Sequence, residues 1–95
     1  MPTFRKQPVD IVIDVRSKIE FWLGHLDGAV CLPVSSLADA IARRDDLTME
    51  SRILLVCASG ARSAMAATML RDLGYRRVTD GGPYTTARSD YAARG

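Results

Sequence analysis

Hydrophobic positions along this chain change their spacing several times, and each change marks an element. Residues 9–15 (Val-Asp-Ile-Val-Ile-Asp-Val) are dominated by β-branched side chains and predict a buried strand. Residues 17–23 switch to helical spacing, with Ile19, Trp22 and Leu23 on one side, and Gly24 ends the run. A short apolar strand is expected over residues 28–33, closed by Pro33. Ser36, with Asp39 three residues on, reads as a capping box opening a helix whose apolar face is Leu37, Ala38 and Ile41. Residues 45–51 are polar and predict a loop. Residues 53–56 form the second strong strand, between Arg52 and Cys57. The clearest helix covers residues 61–73, where Ala66, Met69, Leu70 and Leu73 recur at helical spacing and Gly74 supplies the stop. Residues 75–79 predict a last short strand. Beyond Gly81-Gly82-Pro83 only Tyr84 and Tyr91 are large and apolar, so a poorly packed helix or a frayed end is expected.

Strands alternating with helices predict an α/β fold with a central, mostly parallel sheet flanked by helices. Ligands of such sheets collect at the carboxyl ends of the strands, and Cys57 stands at that edge. The 95 residues bound the answer to a single domain, residues 1–95, and a hydrophobic fraction of 47% is ample for a core. A net charge of +2, with basic and acidic residues interleaved as in Arg43-Arg44-Asp45-Asp46, gives no case for nucleic acid. No run is long and apolar enough for a membrane span, and no secretory pattern opens the chain. The expectation is therefore a cytoplasmic monomer without membrane association, a mature exported domain being the alternative. Two cysteines and one histidine make neither a disulfide scaffold nor a structural zinc site, so no structural metal is expected.

Candidate chemistry centres on Cys57-Ala58-Ser59-Gly60-Ala61-Arg62-Ser63. A strand ends on the cysteine, a short loop follows, and a helix begins. Backbone N–H groups and the positive end of the helix would face the sulfur and favour the thiolate, its reactive form. Gly60 lets the loop amides converge, Arg62 brings a permanent cation with a planar fork of donors, and Ser63 adds a hydroxyl at the helix start. The plainer readings are a buried strand cysteine, a turn glycine, a solvated first-turn charge and a simple N-cap. Two chemistries suit an amide-lined loop: attack on phosphorus, or uptake of sulfur as a persulfide. Phosphate-cradling cysteine phosphatases span cysteine to arginine with one residue more than the Cys-x4-Arg found here. The shorter ring suits a single sulfur better than a tetrahedral oxyanion.

The chain resembles the single-domain rhodaneses, a sulfurtransferase family, over residues 9–82. Asp14-Val15-Arg16 is similar to the family's Asp-x-Arg; Glu20-Phe21, then Gly24-His25-Leu26-Asp27-Gly28-Ala29, to its Glu-Phe…Gly-His-Ile-x-Gly-Ala segment; and Leu32-Pro33 to its Ile-Pro. The Cys57–Ser63 loop, Leu73-Gly74-Tyr75, Val78 and Gly81-Gly82 complete the match. The resemblance implies a rhodanese-like three-layer domain whose reaction requires no metal or organic cofactor. It implies double displacement: Cys57 takes the outer sulfur of a small anionic donor such as thiosulfate, sulfite leaves, and cyanide, a thiol or a sulfur-carrier protein removes the sulfur from the persulfide. The amides of Ala58, Ser59, Gly60, Ala61, Arg62 and Ser63 would stabilise the persulfide, and Arg62 would hold the donor. A cysteine phosphatase or arsenate reductase of related fold, or a non-catalytic rhodanese-like binding module, are the alternatives. Two departures stand out. The segment before the first core strand is short, so an edge strand is expected to be reduced or missing. Pro83-Tyr84-Thr85-Thr86 also replaces the tryptophan often found after the Gly-Gly pair.

Outside the loop, His25 is expected to fix a turn, and Asp14 and Arg16 to pair with each other or with backbone. Glu20 is expected to cap its helix or pair with Arg16. Cys31 reads as a buried strand cysteine, with a resolving role open only if its strand neighbours that of Cys57.

Overall fold

The protein is described by a computed structural model over residues 1–94. Four parallel strands make the central sheet, in the order β4-β3-β5-β6: β3 (Ile11–Asp14), β4 (Val30–Cys31), β5 (Arg52–Cys57) and β6 (Arg77–Pro83). A second small antiparallel sheet joins β1 (Thr3–Phe4), β2 (Gln7–Pro8) and β7 (Tyr91–Ala92), with β1 in the middle. Helices α1 (Lys18–Leu23), α2 (Leu37–Ala42), α3 (Ala61–Asp72) and α4 (Tyr84–Ala87) complete the fold.

Strand alternation divides the core into two layers. Ile11 and Ile13 of β3, with Ile53, Leu55 and Cys57 of β5, pack on one face against Leu37 and Ile41 of α2 and Ala66, Ala67 and Leu70 of α3. Val12, Leu54 and Val56 point the other way, toward Phe4, Val9, Leu26 and Ala87. The α/β architecture with a parallel sheet is the one the alternating pattern predicted.

Several details differ from expectation. The Ile19, Trp22 and Leu23 stripe of α1 faces solvent, at 74%, 81% and 75% exposure. Helical spacing reports a common face but not what lies opposite it. The capping box sits on α1 rather than α2: the Ser17 side chain accepts from the Glu20 N–H, while the Glu20 carboxylate accepts from the Ser17 N–H. Ser36 makes no cap bond, because it lies in the 3-10 turn Val34–Ser36 and its hydroxyl donates to Pro33 O. On α2, Ala38 is exposed. On α3 the buried stripe is Ser63, Ala66, Ala67 and Leu70, with Leu73 half exposed.

The last core strand does not stop at Thr79 but runs on through the glycine pair. Leu55 pairs with Asp80 while Cys57 pairs with Pro83, so β6 advances three residues while β5 advances two. Gly81 lies in that bulge because nothing larger fits: a Cβ there would stand 2.9 Å from Leu54 Cδ1 and 3.0 Å from Leu55 O. The terminal segment is packed rather than frayed. β7 pairs with β1, Ala87 is buried, and Tyr84 and Tyr91 cover the second core layer. Edge pairing through main-chain groups needs no hydrophobic period, which is why the pattern gave no sign of it.

Candidate active site

Cys57 closes β5, and residues 58–60 turn the chain into α3. Counting in twos along β5 from Ile53 places the Cys57 side chain on the α3 side of the sheet, facing the start of that helix. Gly60 is the N-cap residue in left-handed backbone (φ +100°), a conformation that favours glycine. The β6 bulge brings Pro83 beside this turn, its Cδ 3.6 Å from where a Gly60 Cβ would stand. Strand end, helix start and bulge thus meet around one sulfur atom.

The Gly60 N–H donates to Cys57 Sγ at 2.9 Å, and Ser63 Oγ lies 3.3 Å from the same sulfur. Ser63 Oγ is also 3.2 Å from Gly60 O. Its single hydroxyl proton therefore serves the carbonyl while the sulfur is a thiol and turns to the sulfur when it is a thiolate. Burial is the largest influence on the Cys57 thiol and pushes its pKa up. The Ser63 hydroxyl and the N–H groups of Ser63, Gly60 and Ser59 together outweigh it and hold the pKa below the ordinary thiol value. Cys57 has no solvent-exposed surface, while Ala58, Ser59 and Ala61 are exposed and Gly60 and Arg62 half-buried above it.

Arg62 does not reach freely into solvent. Its Nη1 and Nη2 donate to Glu20 Oε1 and Oε2 at 2.6 and 2.9 Å, a bidentate pair joining α3 to α1. The Arg62 guanidinium, then the Ser17 N–H, lower the Glu20 pKa to about 2. Glu20 is thus a member of the site that the sequence reading left without chemistry, and its partner is Arg62 rather than Arg16. The Ser17-x-x-Glu20 spacing was the available signal, since a capping box fixes where that carboxylate stands.

Asp14 and Arg16 pair with each other, both buried, through Nε and Nη2 contacts of 2.7 to 3.0 Å. Arg16 Nη2 also donates to Gly24 O at 2.6 Å, and its guanidinium lies 4.0 Å from the centre of the Tyr84 ring. Tyr84 thereby ties α4 to the end of β3. His25 packs flat on Phe21 with 3.6 Å between ring centres, and its Nδ1 is 2.7 Å from Phe21 O, the turn-fixing role expected of it.

Cys31 and Cys57 are not on neighbouring strands. Asp14 of β3 stands between Cys31 and Val56 in register. Two strand spacings come to roughly 9–10 Å, beyond the ~7 Å between Cα atoms that a disulfide spans. A resolving role for Cys31 through direct pairing is therefore excluded by the strand order. Both cysteines are free thiols, and burial, followed by the Asp14 carboxylate, pushes the Cys31 thiol up.

Comparison with known proteins agrees with this geometry. The rhodanese-like domain family matches residues 3–82. Thiosulfate sulfurtransferase GlpE of Pseudomonas putida is 35% identical over 91 residues, covering 94% of this chain and 79% of that protein. The putative sulfur carrier protein YrkF of Bacillus subtilis is 33% identical over 78 residues, 77% of this chain, and this chain spans only 40% of its length. Among solved structures, the human single-domain sulfurtransferase TSTD1 superposes with a TM-score of 0.67 at 26% identity, covering 82% of this chain and 77% of that one. With the matched family spanning most of its length and the amide-lined cysteine loop at the end of its central strand, this chain belongs to the rhodanese-like domain family.

Proposed function

We propose that this domain is a sulfurtransferase that carries sulfane sulfur as a Cys57 persulfide. The observation that carries the reading is the Cys57 sulfur held by the Gly60 N–H at 2.9 Å and the Ser63 hydroxyl at 3.3 Å. Relatives named as thiosulfate sulfurtransferases support it. In the first half-reaction the Cys57 thiolate attacks the outer sulfur of a donor such as thiosulfate. The donor's S–S bond breaks, sulfite leaves with the bonding pair, and a persulfide anion remains on Cys57. In the second, cyanide or a thiolate attacks the terminal sulfur and Cys57 departs as thiolate. One hard transfer becomes two easier ones.

Each loop residue has a part in this cycle. The N–H groups of Ser59, Gly60 and Ser63 are neutral donors aimed at the Cys57 sulfur, which bears the negative charge in the resting state; on loading the charge moves one S–S bond outward, onto the terminal sulfur beside the same loop. Ala58 and Ala61 keep the loop short and free of bulk, and the Arg62 cation stands beside the mouth. Because Cys57 is closed to solvent, sulfur uptake includes a parting of residues 58–60 from the sulfur. A sulfur-carrier protein is a natural acceptor, as the names of relatives suggest.

Incubation with thiosulfate followed by intact-mass measurement tests the proposal. The wild-type chain gains one sulfur atom, cyanide removes it, and Cys57→Ala gains none. Equal gain by Cys57→Ala, or no gain by the wild type, overturns the assignment and leaves the binding-module reading.

A further inference from the structure

We propose that Glu20 sets the charge of the donor this site accepts, favouring singly charged sulfane-sulfur donors, organic thiosulfonates and persulfides, over dianionic thiosulfate. The inference rests on the sulfurtransferase reading above and names the substrate class of that same site.

Its basis is the disposition of charge at the mouth of the loop. Arg62 gives both terminal nitrogens to Glu20, at 2.6 and 2.9 Å. Glu20 Oε1 also accepts from the Ser17 N–H at 3.1 Å and the Ser17 hydroxyl at 3.0 Å, so the carboxylate cannot swing away without breaking the cap of α1. Each side chain of the pair is about one-third exposed, which places it at the rim rather than in the core or in bulk water. Arg16 is matched in the same way by Asp14. Lys18, at the start of α1, is solvated and screened. The sulfur itself is held by neutral dipoles. Among the described residues, Arg62 and Arg16 are both matched by carboxylates, so an approaching donor meets a thiolate to which neither offers an unpaired guanidinium. A dianion adds two negative charges to that thiolate and a monoanion adds one, so the absent counter-charge weighs more heavily on thiosulfate.

The singly charged reaction balances without a co-reactant. The Cys57 thiolate takes the outer sulfur of an organic thiosulfonate, the donor's S–S bond breaks, and the sulfinate leaves with the bonding pair. A persulfide anion remains on Cys57.

The test measures second-order loading of Cys57 by thiosulfate and by benzenethiosulfonate, read as intact mass at timed intervals, in the wild type, Glu20→Gln, Glu20→Asp and Cys57→Ala. Gln keeps the capping geometry and removes the charge. The expected result is an increase of about ten-fold for thiosulfate and about two- to three-fold for benzenethiosulfonate in Glu20→Gln. Glu20→Asp keeps the wild-type ratio. A fall of equal size with both donors, or an unchanged ratio, overturns the proposal by reducing Glu20 to a holder of Arg62. The wild-type protein supplies a check that needs no variant: added salt raises its thiosulfate rate, and by more than its benzenethiosulfonate rate, because like-charge repulsion is screened, and a decline with salt overturns the proposal by revealing a net cationic mouth. Failure of both donors to load Cys57 in the wild type is a separate result that removes the sulfurtransferase reading itself.

Discussion

Ser63 carries one hydroxyl proton, and the Gly60 carbonyl and the Cys57 sulfur compete for it. The thiolate thus gains a donor that the thiol does not require, and the folded protein keeps Cys57 ionised to lower pH than a free cysteine. Burial raises both thiols, and at Cys31 it prevails, so that thiol stays protonated to higher pH. Alkylation by iodoacetamide, followed by peptide mass against pH, is expected to rise first for Cys57 and later for Cys31. In Ser63→Ala the Cys57 profile moves to higher pH while that of Cys31 stays in place. Glu20 provides the second residue-scale outcome. Its pKa is about 2 in the folded chain against an ordinary 4.5, so its ionised form is favoured by folding. The stabilisation is complete above pH 4.5 and is lost as pH falls through about 2. Glu20→Gln is therefore less stable than wild type at neutral pH, and urea denaturation shows the difference closing across that window. Because the pair is partly exposed, high salt narrows it as well.

At the scale of elements, the junction of β5, β6 and α3 decides the site. The bulge that puts Pro83 opposite Cys57 depends on a position with no room for a side chain. Gly81→Ala forces a methyl against Leu54, the Leu55 carbonyl and Val56 at 2.9 to 3.1 Å. A loss of about 1–3 kcal/mol in denaturant unfolding is expected, together with slower Cys57 loading, because Pro83 is displaced from the loop. Gly82 is a useful contrast: its φ of +70° strains any replacement, but its surroundings are open. Gly82→Ala is expected to cost about 1 kcal/mol. Helix α1 shows a different economy. It buries none of its residues and is held by its capping box and by the Glu20–Arg62 bridge. Polar contacts, rather than its apolar stripe, determine where it sits.

Over the whole molecule, two core layers on opposite faces of one sheet serve different purposes. The layer against α2 and α3 carries Cys57, while the other is closed by the chain termini through β1 pairing with β7. Tyr91 links them to the segment after α1 by donating its hydroxyl to Asp27 O. Tyr91→Ala removes that bond and a half-buried ring, and a loss of about 1–3 kcal/mol is expected. The Cys57 alkylation profile is expected to stay unchanged, because the sulfur lies on the opposite face. A shift of that profile together with the stability loss would contradict the separation of the two layers.

Strand periodicity, the breaker glycines and the Cys-x4-Arg loop were enough to predict the α/β sheet, the order of its main elements along the chain and the placement of Cys57 at a strand-to-helix turn. These are local properties: a β-branched run and a helix start impose their geometry on their own neighbours. Everything that joined distant segments was decided by the tertiary structure. The pairing of Arg62 with Glu20, 42 residues earlier, required α1 to lie beside α3. The separation of Cys31 from Cys57 required β3 to fall between their strands. The docking of the tail required β1 as a partner. The solvent-facing stripe of α1 belongs with them, since spacing along a helix identifies a face, and only the packing of the remaining chain determines whether anything covers it.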